Sequence, residues 1–195
     1  MRVFLALEMD QGPRERLARK VQDLRSRIGG ARIGWVAPEN LHVTLRFLGE
    51  LNEDRVAQVQ QAMACISYGA CPFEPSQWGV FPDAKRPRVL WAGCASEQEQ
   101  RIAGLAELVE SRLHSIGIQR EPKPFRAHVT VGRVKEPIRG VVEAFEASPL
   151  REIGLSSGES FVLMESRLGS GGSKYTVLAR FALGKERGNE HDRSA

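Results

Sequence analysis

"PENLHVTLRFLGE", residues 38 to 50, decides the fold. Pro38 opens a turn, the run from Leu41 to about Leu48 reads as a strand, and Gly49 ends it. Strand side chains alternate between faces, so Val43 and Leu45 turn one way and His42 and Thr44 the other. One face is therefore apolar and built for a core, while the other presents an imidazole and a hydroxyl. The same string returns as "AHVTV", residues 127 to 131, in a chain with only four histidines. There His128 and Thr130 oppose Val129 and Val131.

Strands and helices group around these two strings. Residues 2 to 8 alternate, with Val3, Leu5 and Leu7 on one face, and predict a first strand. From Pro13 to about Ile28, Leu17, Val21 and Leu24 recur at helical spacing, with Pro13 in the first turn and Gly29 and Gly30 as the stop. Asn52 can cap a helix to about Ile66, and a third helix spans Glu97 to about Ser115 with Gly117 beyond it. Further strands are expected at about 71 to 80, 88 to 95, 127 to 134, 150 to 156, 159 to 167 and 174 to 183, with a short helix or loop at 137 to 148. Residues 1 to 184 read as one domain or two intimately packed lobes, and the tail from 185 to 195 has no hydrophobic pattern and is expected to be disordered. The class is α+β, largely antiparallel.

Composition narrows the function. With 195 residues, 42% hydrophobic and 27% charged, the chain has the balance of one globular domain, and no apolar run approaches the roughly 20 residues of a membrane span. Glu8 and Asp10 end the first apolar stretch before it could serve as a signal-peptide core. Cys65, Cys71 and Cys94 lack CxxC spacing, which points away from a disulfide framework or a zinc site and towards a reducing cytoplasm. The net charge of +4 concentrates around the second string, where Arg120, Lys123, Arg126, Arg133 and Lys135 face the single acid Glu121. That is the setting for an anionic ligand, although charge alone would serve equally for a solvated face.

Two imidazoles and two hydroxyls around one cleft suit a phosphodiester. Hydrolysis needs a base for the proton of water and an acid for the departing oxygen, and a histidine does either near neutral pH. Each correctly placed acid or base supplies about 10² to 10⁴ in rate, so the pair accounts for roughly 5 to 11 kcal/mol without a metal. Either histidine alone would be read as a packed strand residue; the recurrence in matched contexts argues otherwise. A metal site is disfavoured because neither string carries a carboxylate and the threonines would have no role. "SSGES" at 156 to 160 lacks the strand–turn–helix setting of a nucleophilic serine, and His114 and His191 are read as structural.

With these residues the chain resembles the two-histidine phosphoesterases, specifically the bacterial and archaeal RNA 2′,3′-cyclic phosphodiesterase branch once called 2′-5′ RNA ligase. The resemblance runs through "RVFLAL", "WVAPENLHVTLRFLGE", "GVFPDAKRPRVLWAG", "KPFRAHVTVGR" and "LMESRLGSGGSKYTVLARFAL". It implies a single bilobal domain of two mostly antiparallel sheets related by pseudo-two-fold symmetry around a central cleft, with helices outside. It further implies His42 and His128 as the catalytic pair, Thr44 and Thr130 as phosphate ligands, and neither metal nor other cofactor. By analogy His42 is the acid to O3′ and His128 the base for water, leaving a 2′-phosphate, with reversible ligation when a 5′-hydroxyl replaces water. Sequence alone does not order the two histidines. Alternatives are a phosphodiesterase for small cyclic nucleotides or an ADP-ribose cyclic phosphate, and a non-catalytic RNA-binding module.

Two positions depart from the family pattern: Ala127 replaces a usual proline, and Gly132 a usual alanine. Arg126 and Arg133 are candidate RNA contacts, although in a regular strand they fall on opposite faces. Phe125, Tyr175 and Trp35 are candidate stacking groups for a base. The expected partners are RNA ends with a 2′,3′-cyclic phosphate, such as tRNA fragments, met by a monomer that makes no use of a membrane.

Overall fold

The computed structural model describes residues 1–28, 33–136, 138–169 and 172–184. The expected stop at Gly29 and Gly30 and the tail from residue 185 lie outside the described residues. The elements in order are β1 (Arg2–Glu8), α1 (Gln11–Arg27), β2 (Ile33–Trp35), a 3₁₀ turn (Pro38–Asn40), β3 (His42–Glu50), α2 (Glu53–Ala64), β4 (Gln77–Phe81), β5 (Val89–Gly93), α3 (Ser96–Ser115), β6 (Val129–Val134), α4 (Val141–Ala147), β7 (Ser160–Gly169) and β8 (Gly172–Ala182).

The strands run β4-β5-β6-β3-β1-β7-β8, with β2 added on β6, and the pairs are antiparallel. The α+β antiparallel class is as expected. The two groups of strands, β4-β5-β6 with β2 and β3-β1-β7-β8, meet at a single registered pair, Val43 with Val129. That seam joins them into one eight-stranded sheet and carries the functional strings.

Alternation along the strands explains the layers. Val3, Leu5, Leu7, Val43, Leu45, Val129, Val131, Phe161 and Leu163 share one core with Leu17, Val21 and Leu24 of α1, Val56, Val59 and Met63 of α2, and Ile102, Leu105, Val109 and Leu113 of α3. These apolar helix positions recur at three and four residues, the stripe that packs on a sheet. The opposite face of the sheet carries only a small cluster, Phe4, Ala6, Val162 and Met164, with Tyr175 against it. One face is thus covered by helices, and the other is left open to solvent and ligand.

Local signals place the ends. Asn52 caps α2 by accepting the Arg55 amide at 2.9 Å. Gly117, at φ +80, follows α3 where an L side chain would be strained. The strand expected at 150 to 156 does not form; only Ser156 pairs, with Phe73, in an isolated bridge. Glu152 at φ 57, Gly154 at φ 85 and Gly158 at φ 60 turn the chain repeatedly and prevent an extended run. The strand expected from residue 71 begins only at Gln77, the 127 to 134 strand begins at Val129, and α4 forms within the 137 to 148 stretch.

Candidate active site

The antiparallel pair Val43–Val129 sets the geometry of the site. Carrying the register one residue to each side puts His42 across from Thr130 and Thr44 across from His128. All four lie on the face away from the helices, because their neighbours Val43, Leu45, Val129 and Val131 are in the core. The four expected residues are therefore brought together, related by a local two-fold through the seam.

Each imidazole is held in the same way. His42 Nδ1 donates to the Asn40 carbonyl at 2.7 Å, and His128 Nδ1 donates to the Arg126 carbonyl at 2.7 Å. In both cases the acceptor is the carbonyl two residues earlier, so the proton of the neutral ring is fixed on Nδ1 and the Nε2 lone pair faces the open side. His42 Nε2 meets the Thr44 hydroxyl at 3.0 Å. The turn behind His42 is itself fastened, since Asn40 Nδ2 donates to the Ser173 carbonyl at 2.7 Å.

Aromatic rings wall both imidazoles. Phe4 stacks on His42 at 5.0 Å and Tyr175 meets it edge-on at 5.5 Å; Phe81 meets His128 edge-on at 5.0 Å and Trp91 lies at 6.1 Å. Burial in this apolar setting pushes His42 down to about 4, and the His128 imidazole adds to the depression while the bond to Asn40 opposes it. His128 is lowered by burial too, opposed by its bond to Arg126 and reinforced by the Arg133 and Arg126 charges. Both rings are therefore neutral in the free protein at pH 7, and an anion between them favours their protonation.

That burial predicts a pH dependence of stability. Between about pH 4 and 6.5 the unfolded chain binds a proton that folded His42 does not, so stability is lost as pH falls through this window and this group takes no more below it. From this group the loss is on the order of 3 kcal/mol. Urea denaturation at pH 4.5 and 7 should show a smaller gap for His42→Gln than for the wild type; an unchanged gap would place the acid sensitivity elsewhere.

A bulge adds a fifth residue to each string. In the β1–β3 ladder Ala6 pairs Thr44 but Leu5 pairs Arg46, so Leu45 is an extra residue and the alternation shifts phase. In the β5–β6 ladder Trp91 pairs Thr130 but Leu90 pairs Gly132, so Val131 is extra in the same way. After the shift Phe47 and Arg133, each five residues beyond its histidine, come to the open face. Phe47 is 57% exposed and packs on Phe4 at 5.9 Å. Arg133 is exposed, and its charge acts on both histidines. The regular-strand expectation that Arg133 points away from Arg126's face is thus corrected. Gly132 permits this close packing, because a Cβ there would meet Ile33 Cγ2 at 2.9 Å.

The remaining candidates are placed as follows. Arg126 lies over Trp91 at 5.2 Å and pairs with Glu99 at 3.7 Å, so part of its charge is engaged. Phe125 is half-buried against the core, and with Thr44, Phe47 and His128 it lines a cavity of about 590 Å³. Trp35 is half-buried over Gly132. Ala127, in place of proline, is buried in the core. Arg46, which sequence reasoning passed over, turns to the helix side and ties β3 to Glu110 at 2.7 Å, Glu121 at 2.5 Å and the Gln119 carbonyl at 2.7 Å. It anchors the segment leading to His128.

Trp91 offers a direct check of the wall behind His128. A Cβ on Gly79 would stand 2.1 Å from the Trp91 ring, so the ring must move if one is added. Gly79→Ala is expected to cost about 1 to 3 kcal/mol, shift tryptophan fluorescence and lower turnover together. Unaltered fluorescence and activity would show that the ring is not held there.

Among the described residues, no group of three or more His, Cys, Asp or Glu is placed to hold a metal ion, and no helix is long and apolar enough to cross a membrane. The chemistry on the open face is two imidazoles able to take or give protons and two hydroxyls, with the Arg133 and Arg126 guanidiniums beside them. A sheet whose seam carries this set defines a two-histidine phosphoesterase. The chain belongs to the LigT-like phosphoesterase family. The family model for LigT-like phosphoesterases matches residues 7–91. An RNA 2′,3′-cyclic phosphodiesterase of Archaeoglobus fulgidus is 35% identical over 93% of this chain and 99% of its own. A protein of the same name from Aquifex aeolicus is 38% identical over 77% of this chain and 81% of its own. A solved structure from Thermus thermophilus superposes with a TM-score of 0.73 at 27% identity, covering 95% of this chain and all of that one.

Proposed function

We propose that this protein is an RNA 2′,3′-cyclic phosphodiesterase that opens a terminal cyclic phosphate by two-histidine acid–base catalysis. The observation that carries the reading is the seam at Val43–Val129, which brings two imidazoles and two hydroxyls to one face. The relatives' shared name supports the substrate.

Water attacks phosphorus while its proton passes to His128 Nε2. The P–O3′ bond breaks opposite, and O3′ takes a proton from His42 Nε2, leaving a 2′-phosphate. Thr44 and Thr130 donate to the non-bridging oxygens, and Arg133 opposes the charge that builds there. A His42 pushed down to about 4 gives its proton readily once the anionic substrate has helped load it. Each released ring returns to the tautomer set by its carbonyl partner. With a 5′-hydroxyl in place of water the same path joins two RNAs, but mass action in water favours hydrolysis.

Phe47 is the residue best placed to stack on the terminal base, being an exposed aromatic that shares the open face with Thr44. Tyr175 packs against Phe4 and His42 and shapes that side. All four central groups come from one chain, so a monomer suffices. Three free cysteines fit a reducing cytoplasm, and RNA ends such as tRNA fragments fit the site.

The test compares kcat/KM for a short RNA bearing the cyclic phosphate with that for a nucleoside 2′,3′-cyclic phosphate and an ADP-ribose cyclic phosphate. RNA is expected to be the preferred substrate. Preference for either small molecule would move the assignment to small-molecule cyclic phosphates, and binding of RNA without product would leave a binding module.

A further inference from the structure

We propose that α1 and the 151–153 turn form a second RNA-binding surface, which docks the body of an RNA whose end lies in the active site. This inference rests on the reading of the site as an RNA-end enzyme.

The charge of the molecule is unevenly placed. Within Gln11–Arg27, Arg14, Arg16, Arg19, Lys20, Arg25 and Arg27 outnumber Glu15 and Asp23, a net +4 that equals the net charge of the whole chain. The other three helices are acidic on the same count: α2 is −1, α3 is −2 and α4 is −2.

Helix stability explains only the ends of the arrangement, Asp10 at the N-cap and Arg25 and Arg27 in the last turn. Anions are favoured at a helix N-terminus, yet the first turn of α1 holds no acid, and Arg14 and Arg16 follow close behind. Arg16 and Lys20 stand four residues apart as like charges, a spacing that disfavours the helix. Arg25 and Arg27 suit the helix C-terminus, so the charges that the helix itself leaves unexplained are Arg16, Arg19 and Lys20 along its middle.

The surface has a fixed shape. Arg16, Arg19, Lys20, Asp23, Arg151, Glu152 and Ile153 line a groove of about 590 Å³. Arg16 Nε donates to the Ile153 carbonyl at 2.7 Å, and Glu74 accepts the Gly154 amide at 2.7 Å, so the turn is fastened from both sides. Asp23, one of the groove's two acids, is paired with Arg27 at 3.2 Å. Arg19 and Arg151 make no ion pair among the described residues. These two and Lys20 are the cations left for a ligand.

The groove lies on the helix-covered side of the sheet and connects to the site round the end of β1. Glu8, the last residue of β1, pairs with His42, and α1 starts at Gln11 just beyond it. At 1.5 Å per residue, Arg19 is about 14 Å along the helix from Asp10. A polyanion that passes from the open face round the end of β1 meets the one basic helix among the described residues. Phosphates of the chain preceding the reacting end are the matching chemistry.

The test uses the triple variant Arg19→Gln, Lys20→Gln and Arg151→Gln. Two substrates are compared: a dinucleotide ending in a 2′,3′-cyclic phosphate, and a hairpin RNA of some thirty nucleotides with the same end. For the variant, KM for the hairpin should rise about tenfold, and the slope of log(kcat/KM) against log salt should flatten by about 2. Its kcat and its dinucleotide kinetics should match the wild type. Equal loss on both substrates, or no loss on the hairpin, would overturn the proposal. So would loss of binding to vesicles containing phosphatidylserine with hairpin kinetics intact, which would assign the surface to a membrane. If the wild type fails on the dinucleotide, it is the reading of the site that falls, whatever the variant shows.

Discussion

His128→Ala is expected to lower single-turnover hydrolysis of a cyclic-phosphate RNA by about 10² to 10⁴, and His42→Ala by a comparable factor. The double variant should fall little further, because an acid and a base that act in one step are not additive. Neither loss should come from unfolding. His128 Nδ1 holds only a carbonyl at its own strand's edge, and the core residues Val43 and Val129 stay in place. His42→Ala should even be less acid-sensitive than the wild type, since the ring pushed down to about 4 by burial is removed. Retained melting behaviour with lost turnover is the expected result. Substantial activity in either single variant would show that proton transfer at this site runs through another group.

Arg133→Ala is the second large effect, about 10² to 10³ in kcat/KM, the loss seen when one preorganised donor to a developing oxyanion is removed. Arg133→Lys should recover only part, because an ammonium lacks the planar fork that grips two phosphate oxygens. Arg126→Ala should cost much less, since that guanidinium is engaged by Trp91 and Glu99. The contrast depends on the bulge at Val131: in an unbulged strand Arg133 would face the helices. If the two arginines proved equal, the phase shift would carry no functional weight.

The bulges also mark the boundary of what could be read from sequence. The HxT pairs were legible because a period of two puts histidine and threonine together while valine and leucine go to the core. Nothing in "LRF" or "VGR" announces an extra residue, so counting by twos sent Arg133 to the wrong face and passed over Phe47 altogether. Gly132 was the one local hint, a glycine in a strand where a bulge or a close neighbour is expected. Residues 150 to 156 failed for a related reason: the left-handed Glu152 and Gly154 are properties of a turn fastened by Arg16 and Glu74, distant contacts that a local pattern does not contain. Helices α1, α2 and α3 were read closely because their apolar stripes and their cap and stop residues are local.

The most direct measurement is single-turnover reaction in EDTA of an RNA ending in a 2′,3′-cyclic phosphate, with 2′- and 3′-phosphate products resolved. Acid transfer from His42 to O3′ and base action by His128 predict the 2′-phosphate alone, formed without added metal. A 3′-phosphate product, or turnover that appears only when a divalent metal is restored, would contradict the account.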